Sequence, residues 1–373
     1  MAMNRRPRIL LLIPHLGGGG AERVTALLAE GLSSQKYELH LGLITQADAG
    51  PERLATQVTV HALGAKRVRT GAFRLLSLVR RLKPDLIISG MAHLNFLVLL
   101  LRPFFPSGTR VLVRQNGTVS AALTFGGLPG YTRMLYRLLY RHADRVICQT
   151  PAMAKDIAAE IGILEERLAV LPNPVDVDWI RDALGENSDL WTGPGPHLLA
   201  VGRLSREKGF DLLLRALVSV RERFPGADLV IAGTGPEEAA LKDECRDLGL
   251  ETTVRFAGYV EHPSAYFSGA PVFVLSSRHE GLPNAMLEAA AGGLPIVALP
   301  ASQGMVELLR EQPGTWLAAE SSSAALAASL LAALEVLRPG ERFAHTFIDE
   351  YRIDRAVHAY EDLIDAVLKR RQA

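Results

Sequence analysis

Cysteine is scarce in this chain of 373 residues: only Cys148 and Cys245 are present. Neither stands in a CxxC spacing, which argues against a disulfide framework, a cysteine-based zinc site or a thioredoxin-type redox motif. Cys148 lies in the apolar run RVICQT, which predicts a buried strand. We therefore expect both thiols to be structural, in a reducing cytoplasm.

Long apolar runs are missing as well. The most apolar region, residues 86–101, is interrupted by His93 and Asn95, so no membrane span is predicted. The amino end, RRPRILLLIPHLGGGG, has the charge and short apolar run of a signal peptide. Pro14, His15 and the glycines interrupt that run, and no small-residue cleavage site follows, so a first β-strand is predicted.

A strong net charge is also lacking, since the chain carries only +1. That balance hides an asymmetry: residues 1–175 hold 22 Lys and Arg against 11 Asp and Glu. A basic half can face phosphates or an anionic membrane, and the alternative is a solvated surface. The segment YTRMLYRLLYRHADR predicts an amphipathic helix with Arg133, Arg137 and Arg141 as a cationic stripe for membrane contact. A packed helix with a solvated edge is the alternative.

Strand-like apolar runs alternate with helix-period segments through most of the chain. The length and this alternation predict two tandem α/β domains with mostly parallel sheets. A stretch rich in Pro, Gly, Asn and Asp, residues 173–196, indicates the linker. The expected domains are residues 1–175 and 176–352, with a helix at 353–373 that docks on the first domain. Ligands of such doubly wound folds bind at the carboxyl ends of the strands, so a cleft between the two domains is expected.

Two strand-to-helix loops have the chemistry of anion sites. GGGGAER follows the first strand and opens a helix, so Gly18 and Gly19 could let an anion approach the backbone; a flexible turn is the alternative. VGRLSREKGFD puts Arg203 just past a strand and Lys208 at the start of a helix. A guanidinium fork and an ammonium suit a diphosphate.

Two carboxylates stand eight residues apart in SSRHEGLPNAMLEAAAGGLPIVAL. Glu280 is expected on the loop after a strand, and Asn284, behind Pro283, is expected to cap the following helix. Glu288 lies among apolar residues of that helix, where a carboxylate needs a partner such as a ribose diol. A glycosidase pair requires both carboxyl groups to face one sugar, and the predicted placement favours two different parts of one long ligand.

Together these motifs resemble the retaining nucleotide-sugar glycosyltransferases of family four, which have the two-domain GT-B fold. The resemblance also covers LPNPVD, IAGTGPEEAALK and VRFAGYV. It implies that Arg203 and Lys208 bind the donor diphosphate, that Glu280 contacts the transferred sugar and that Glu288 holds the ribose. By the same resemblance, further donor contacts are expected at Gly18, Gly19, Gly281, Leu282 and Asn284, and Gly258 and Val260 are expected to border the nucleotide base.

One departure concerns the first domain, where many relatives carry a histidine near the sugar and this chain has Asn116. His93 and Asn95 are the candidates for part of that role. No convincing carboxylate nucleophile is present, so transfer on the same face of the sugar is the hypothesis. No Asp-x-Asp or histidine cluster suggests a metal, and no cofactor beyond the nucleotide-sugar substrate is expected.

The glycine loop and the basic helix look most like family members that extend glycans on lipid diphosphate carriers. The resemblance therefore implies transfer of a hexose or N-acetylhexosamine, most simply from a UDP-sugar, at the inner face of the cytoplasmic membrane. No nucleic acid partner is expected. A soluble acceptor, a nucleotide-sugar epimerase of the same fold and a non-enzymatic sugar-nucleotide sensor remain alternatives.

Overall fold

The chain forms two compact units in the computed structural model, which describes residues 5–17, 19–45, 57–125, 130–185, 191, 193–269 and 271–369. The first unit comprises Met1–Pro174 together with Tyr351–Ala373. The second comprises Val175–Glu350. Each unit is built around its own parallel sheet with helices on both faces.

The first unit contains a seven-stranded sheet in the order β3-β2-β1-β4-β5-β6-β7, and every paired strand is parallel. Strand β1 (Arg8–Ile13), which lies between β2 and β4, is buried on both faces, so it appears in the sequence as the continuous apolar run ILLLI. The described elements are β1 (Arg8–Ile13), α1 (Gly20–Gly31), β2 (Glu38–Leu43), β3 (Val58–Ala62), α2 (Ala72–Leu82), β4 (Leu86–Gly90), α3 (Ala92–Leu101), β5 (Arg110–Arg114), α4 (Val119–Phe125), α5 (Thr132–Tyr140), β6 (Arg145–Cys148), α6 (Pro151–Ile161) and β7 (Leu168–Val170).

The second unit contains a six-stranded sheet in the order β10-β9-β8-β11-β12-β13, again parallel throughout. Its core lies between the sheet and the helices that cover it, with α8 and α12 in extensive contact. The elements are α7 (Val177–Asp182), β8 (His197–Val201), α8 (Phe210–Arg223), β9 (Asp228–Ala232), α9 (Glu238–Asp247), β10 (Val254–Gly258), β11 (Val272–Leu275), α10 (Asn284–Ala291), β12 (Ile296–Ala298), α11 (Gln303–Leu309), β13 (Thr315–Leu317) and α12 (Ser323–Val336).

The last helix, α13 (Ile353–Lys369), belongs to the first unit and packs against α1. Its apolar stripe of Tyr360 and Ile364 joins the same core as β1. Gly31 of α1 allows the close approach, because a Cβ there would lie 2.5 Å from Val357 Cγ2. Glu361 forms an ion pair with Lys36, which adds a polar contact at the edge of this interface.

Both sheets reverse their strand order next to the first strand of the unit, at β1/β4 and at β8/β11. Doubly wound sheets bind ligands at such switch points, beyond the carboxyl ends of the strands. The loops after β1 and β4 therefore mark the expected site of the first unit. The loops after β8 and β11 mark that of the second.

Candidate active site

The switch point of the second unit brings together Lys208 and Glu280. Lys208 ends a 3-10 turn after β8, and its Nζ lies 2.5 Å from Glu280 Oε1 on the loop after β11. The hydroxyl of Ser277 donates to the same carboxylate oxygen over 2.7 Å. The side chains of Lys208 and Glu280 are only 23% and 12% exposed, so solvent screens their attraction weakly. The sequence predicts that Lys208 contacts the donor diphosphate and that Glu280 contacts the sugar. It did not predict that the two side chains form an ion pair with each other.

Arg203 differs from Lys208 in its surroundings. It follows β8 on the same loop, but its side chain is exposed. Within the described part of the chain, no hydrogen bond or ion pair engages its guanidinium. One of the two predicted diphosphate ligands is therefore held by a carboxylate, and the other is open to an incoming anion.

Asp211, in the first turn of α8, forms a bidentate ion pair with Arg278 on the loop after β11. The guanidinium of Arg278 donates to both carboxylate oxygens of Asp211, over 2.7 and 2.6 Å, and also to the Arg206 carbonyl. Burial alone would raise the pKa of Asp211, but the hydrogen bonds and charge of Arg278 outweigh it and lower that pKa. Sequence reasoning missed this bidentate pair, because nothing local to either residue indicates a partner 67 positions away.

A close approach of backbone segments also shapes this loop pair. Gly209 has φ +63°, and a Cβ on it would lie 2.1 Å from the carbonyl oxygen of Ser276. The Ser276 hydroxyl donates to the Lys208 carbonyl over 2.8 Å. Only glycine combines this φ with this contact, so Gly209 sets how near Lys208 comes to the β11 loop.

Helix α10 starts at Asn284, but not as the sequence predicts. Pro283 is the N-cap residue, and no side chain caps the helix, so the expectation that Asn284 caps it is wrong. Asn284 is instead the first helical residue and makes an interaction of its own. The preceding Gly281 and Leu282 are buried, and the Ser302 hydroxyl donates to the Gly281 carbonyl over 3.0 Å.

Glu288 lies in the second turn of α10 and is 8% exposed. The expectation that this carboxylate lacks a partner within the protein is wrong, because Glu288 already has an interaction. Its contact with a ribose stays a prediction. Burial among Met286, Leu287 and the alanines explains why a partner is required. A ligand hydroxyl would have to share this carboxylate with its existing partner.

The predicted border of the nucleotide base follows β10. Gly258 has φ +70° and open space where a Cβ would stand, and Val260 is half-buried two residues later. Between them Tyr259 is 54% exposed. In the same unit the rings of Trp179 and His262 lie with centroids 4.6 Å apart. This region therefore offers aromatic surface close in sequence to the predicted base contacts.

In the first unit, the glycine loop after β1 leads into α1. Gly19 is the N-cap residue, while Gly18 lies outside the described residues. The carboxylate of Glu22 fills the space next to Gly19, because a Cβ on Gly19 would lie 2.2 Å from Glu22 Oε2. Glu22 is 5% exposed, so its negative charge occupies the helix terminus where an anion was predicted. This charge disfavours a diphosphate at the predicted position.

His93 and Asn116 follow neighbouring strands of that sheet, β4 and β5. His93 is exposed, yet partial desolvation and the nearby His15 charge lower its pKa. His15 in turn lies 3.8 Å from Glu22, so the loop after β1 and the first turns of α1 and α3 carry a group of titratable side chains. Sequence reasoning did not identify His15 or Glu22, because their proximity depends on the loop conformation.

Asn116 is held in one orientation by its neighbours. Its Oδ1 accepts hydrogen bonds from Arg114 Nη1 over 2.9 Å and from Gln149 Nε2 over 3.2 Å. Asn95, the other candidate, is fully buried and donates to the Arg114 carbonyl and to the Tyr140 hydroxyl. Asn95 therefore belongs to the buried network, and Asn116 and His93 are nearer the surface.

The three arginines predicted to contact a membrane, on α5 and at its carboxyl end, have different surroundings. Arg133 pairs with Glu160 Oε2 at 2.9 Å, and Arg137 donates to the Glu160 carbonyl. Arg141 is the C-cap residue and lines a surface pocket with other arginines. Tyr136 and Tyr140 are in the core, whereas Met134 and Leu138 are exposed beside the arginines.

Among the residues that the structure describes, no group of three or more His, Cys, Asp or Glu side chains lies close enough to hold a metal ion. In the same parts of the chain, no helix is both long and apolar enough to span a bilayer.

Comparison with known proteins adds sequence relatives that cover both units. Residues 18–179 match the family described as Glycosyltransferase Family 4, and residues 195–336 match Glycosyl transferases group 1. Lipopolysaccharide core biosynthesis glycosyltransferase LpsE of Rhizobium meliloti is 31% identical over 76% of this chain and 77% of its own length.

Two further relatives match with lower identity. One is N-acetylgalactosamine-N,N'-diacetylbacillosaminyl-diphospho-undecaprenol 4-alpha-N-acetylgalactosaminyltransferase of Campylobacter jejuni, 27% identical over 80% of this chain and 82% of the relative. The other is the uncharacterized glycosyltransferase MJ1059 of Methanocaldococcus jannaschii, 26% identical over 64% of this chain. The match spans only 61% of MJ1059.

Among solved structures, Anabaena Alr3699/HepE in complex with UDP and glucose aligns with a TM-score of 0.77 at 17% identity, over 97% of this chain and all of that chain. At this identity the likeness shows the fold alone, and it agrees with the two parallel-sheet units. The sequence matches show that the chain belongs to the family 4 glycosyltransferases and is a hexosyltransferase, and the likeness in structure shows the GT-B fold.

Proposed function

We propose that the protein transfers a hexose or N-acetylhexosamine from a UDP-sugar, with retention of the anomeric configuration, to a polyprenyl-diphosphate-linked glycan. The observation that carries the donor half of this proposal is the Lys208–Glu280 pair at the switch point of the second unit. Two cations and a carboxylate on adjoining loops match the diphosphate and the sugar of such a donor.

Lys208 and Arg203 would neutralise the departing diphosphate. Negative charge grows on the leaving group as the glycosidic bond breaks, so fixed cations stabilise the transition state more than the ground state. A bound diphosphate competes with Glu280 for Lys208 and releases that carboxylate toward the sugar hydroxyls. Arg203, which is exposed, needs no such exchange.

Glu280 is a poor candidate for a covalent nucleophile. Its Oε1 accepts a hydrogen bond from Ser277 that does not depend on Lys208, and this bond reduces the electron density available for attack. Transfer on one face of the sugar, through an ion-pair-like transition state, avoids the need for a nucleophile. Glu288 would hold the ribose hydroxyls, and residues near Gly258 and Val260 would border the base.

The acceptor proposal has separate support. The Campylobacter relative is named for an acceptor on diphospho-undecaprenol, and LpsE is named for lipopolysaccharide core biosynthesis. The exposed face of α5 mixes cations with Met134 and Leu138, a composition that suits the surface of an anionic membrane. We therefore propose peripheral attachment at the inner face of the cytoplasmic membrane.

Kinetics of two variants test the donor assignment. Lys208→Ala should lower kcat by roughly a hundredfold, because it removes charge stabilisation of the leaving group. Glu288→Ala should mainly raise the donor KM, by about tenfold, because the ribose contact is made before and during transfer. Steady-state release of the nucleoside diphosphate measures both effects. Lys155→Ala, an exposed lysine of α6, is the matched control and should leave both constants unchanged.

The reverse pattern, an intact kcat in Lys208→Ala with a large kcat loss in Glu288→Ala, would overturn these roles. Stereochemistry is tested separately by proton NMR of the first product formed, in which an inverted anomer would refute retention. Thermal shifts with UDP, GDP and ADP identify the base, since a ligand that binds the folded state alone raises Tm. Turnover of the donor into an epimer without any acceptor would instead support the epimerase alternative.

A further inference from the structure

A basic pocket of about 490 Å³ lies at the amino-terminal edge of the first unit's sheet. Arg110 and Arg145, the first residues of β5 and β6, form part of its wall. Asn116 follows the opposite, carboxyl-terminal end of β5, and five residues of strand span roughly 15 Å. The pocket is therefore separate from the residues expected to face donor and acceptor sugars.

Positive charge dominates the lining of this pocket. Five arginines face it with only two carboxylates, so its net charge is +3 with His142 neutral. The arginines are Arg102, Arg110, Arg141, Arg145 and Arg167. Arginine stays protonated under all ordinary conditions, so this charge is permanent.

The guanidinium groups are fixed in place without being fully neutralised. One carboxylate, Asp144, serves both Arg102 at 2.7 Å and Arg110 at 3.0 Å, and it also accepts the backbone N–H of Val111. Arg167 donates to the backbone carbonyls of Arg141 and Ala143, which orient it but carry no full charge. The Nε of Arg110 is buried and has no partner. Fixed, incompletely paired guanidinium groups favour a phosphate, whose oxygens accept from several N–H groups at once.

An apolar groove of about 400 Å³ adjoins the pocket and shares Arg102 and His142 with it. The groove is lined by two leucines of α3, by the proline that follows this helix and by one leucine of α5. These residues are Leu99, Leu100, Pro103 and Leu139. Leu100 is 61% exposed and the neighbouring Phe104 is 56% exposed, so hydrocarbon surface continues outward from the groove. A nucleic acid or nucleotide would need aromatic rings for stacking, and His142 is the one ring among the residues that line these two pockets.

We infer that the pocket and groove together bind one anionic glycerophospholipid, with its phosphate on the arginines and the start of an acyl chain along the leucines. A phosphate joined to hydrocarbon is the chemistry that matches a cationic pocket continuous with an apolar groove. The inference rests on the proposed attachment to a membrane and deepens it. The proposed attachment includes a diffuse attraction between α5 and the negatively charged membrane surface. The lipid site adds a defined point of binding, which orients the first unit on the membrane.

Binding of short-chain, water-soluble phosphatidylglycerol by calorimetry tests the site directly. We expect saturable binding of one lipid per chain, and much weaker binding of the matching phosphatidylcholine. Arg167→Gln should lower the affinity for phosphatidylglycerol roughly tenfold, because it removes one charge from the phosphate site. Leu100→Gln should lower the affinity for the lipid and leave the affinity for inorganic phosphate unchanged. Arg223→Gln, an exposed arginine of the second unit, is the control for charge alone and should bind like wild type.

Co-sedimentation with vesicles, phosphatidylcholine with or without about a third of phosphatidylglycerol, extends the test to bilayers. Equal lipid affinity for wild type and Arg167→Gln would overturn the inference. So would full competition by inorganic phosphate combined with no effect of Leu100→Gln, which would indicate a free-phosphate site instead. UDP binding by thermal shift, run on the same variants, reports the donor site independently, so failure of one proposal is distinguishable from failure of the other.

Discussion

One ion pair of the second unit lies next to the candidate site. Asp211, in the first turn of α8, and Arg278, on the loop after β11, form this bidentate pair, with side chains 29% and 31% exposed. Arg278 also donates its backbone N–H to the Glu207 carbonyl over 2.8 Å. Lys208 precedes α8 and Glu280 follows Arg278 by two residues, so the pair joins the segments that carry these two side chains.

The pH dependence of stability should report this pair. The pKa of Asp211 is lowered in the folded protein, so the pair stabilises the fold above the ordinary Asp value of about 4 and is lost as pH falls through the lowered pKa. Asp211→Asn should therefore lower stability by about 1 kcal/mol near neutral pH, and the difference should vanish in acid. Thermal unfolding as a function of pH measures it. Asp243→Asn breaks an exposed i,i+3 pair and should change little; equal effects would contradict the assignment.

The distance between the loop after β8 and the loop after β11 depends on a short connection, at Gly209. Gly209 stands between the 3-10 turn that ends at Lys208 and helix α8. Its positive φ and its contact with the Ser276 carbonyl leave no space for a side chain. Gly249 has nearly the same φ, +67°, but no neighbouring atom within 4 Å of a Cβ. Gly249 therefore has only the left-handed backbone conformation, whereas Gly209 has that conformation and a close backbone contact.

Alanine at each position should have different consequences. Gly249→Ala should lose about 1 kcal/mol, the ordinary penalty for the left-handed conformation. Gly209→Ala adds a clash with backbone and should lose about 3 kcal/mol or more, and it should also lower kcat by displacing Lys208. Urea unfolding and steady-state kinetics measure these effects. Equal stability losses, or an unchanged kcat in Gly209→Ala, would show that the contact does not position Lys208.

At the scale of the molecule, the chain returns to the first unit after completing the second. Helix α13 covers α1, and the Tyr360 hydroxyl accepts a hydrogen bond from Arg114 Nε over 3.0 Å. Arg114 is 3% exposed, and its other nitrogens donate to Asn116 and Asn173. The carboxyl-terminal helix thereby contacts the same buried guanidinium that orients Asn116.

Removing one hydroxyl tests this connection. Tyr360→Phe leaves a buried Arg114 nitrogen without a partner, so we expect a loss of about 2 kcal/mol and faster hydrogen exchange in α13. Exchange in the second unit should stay as in wild type. Tyr131→Phe alters an exposed tyrosine of the same unit and is the control. Unchanged exchange in α13 after Tyr360→Phe would mean that apolar packing alone holds the helix.

The sequence was sufficient to predict where the candidate residues lie in the fold. Arg203, Lys208 and Glu280 stand on strand-to-helix connections, and connections of that kind gather at one edge of a parallel sheet. The ion pair between Lys208 and Glu280 was not predictable, because it depends on the geometry of two loops far apart in sequence. Glu22 illustrates the same limit: the glycines before it suggest an anion site, and the fold turns its carboxylate into that space.

The alternation of apolar runs with amphipathic segments was enough to predict the class of fold. A strand that is buried on both faces gives a continuous apolar run, and a helix that is buried on one face gives an apolar residue every three or four positions. The motif set likewise determined the family. The pairing of Lys208 with Glu280, the division of the α5 arginines and the pocket beneath β5 and β6 were decided by tertiary structure. Each of these depends on the distance between side chains remote in sequence, and that distance exists only after the strands have packed.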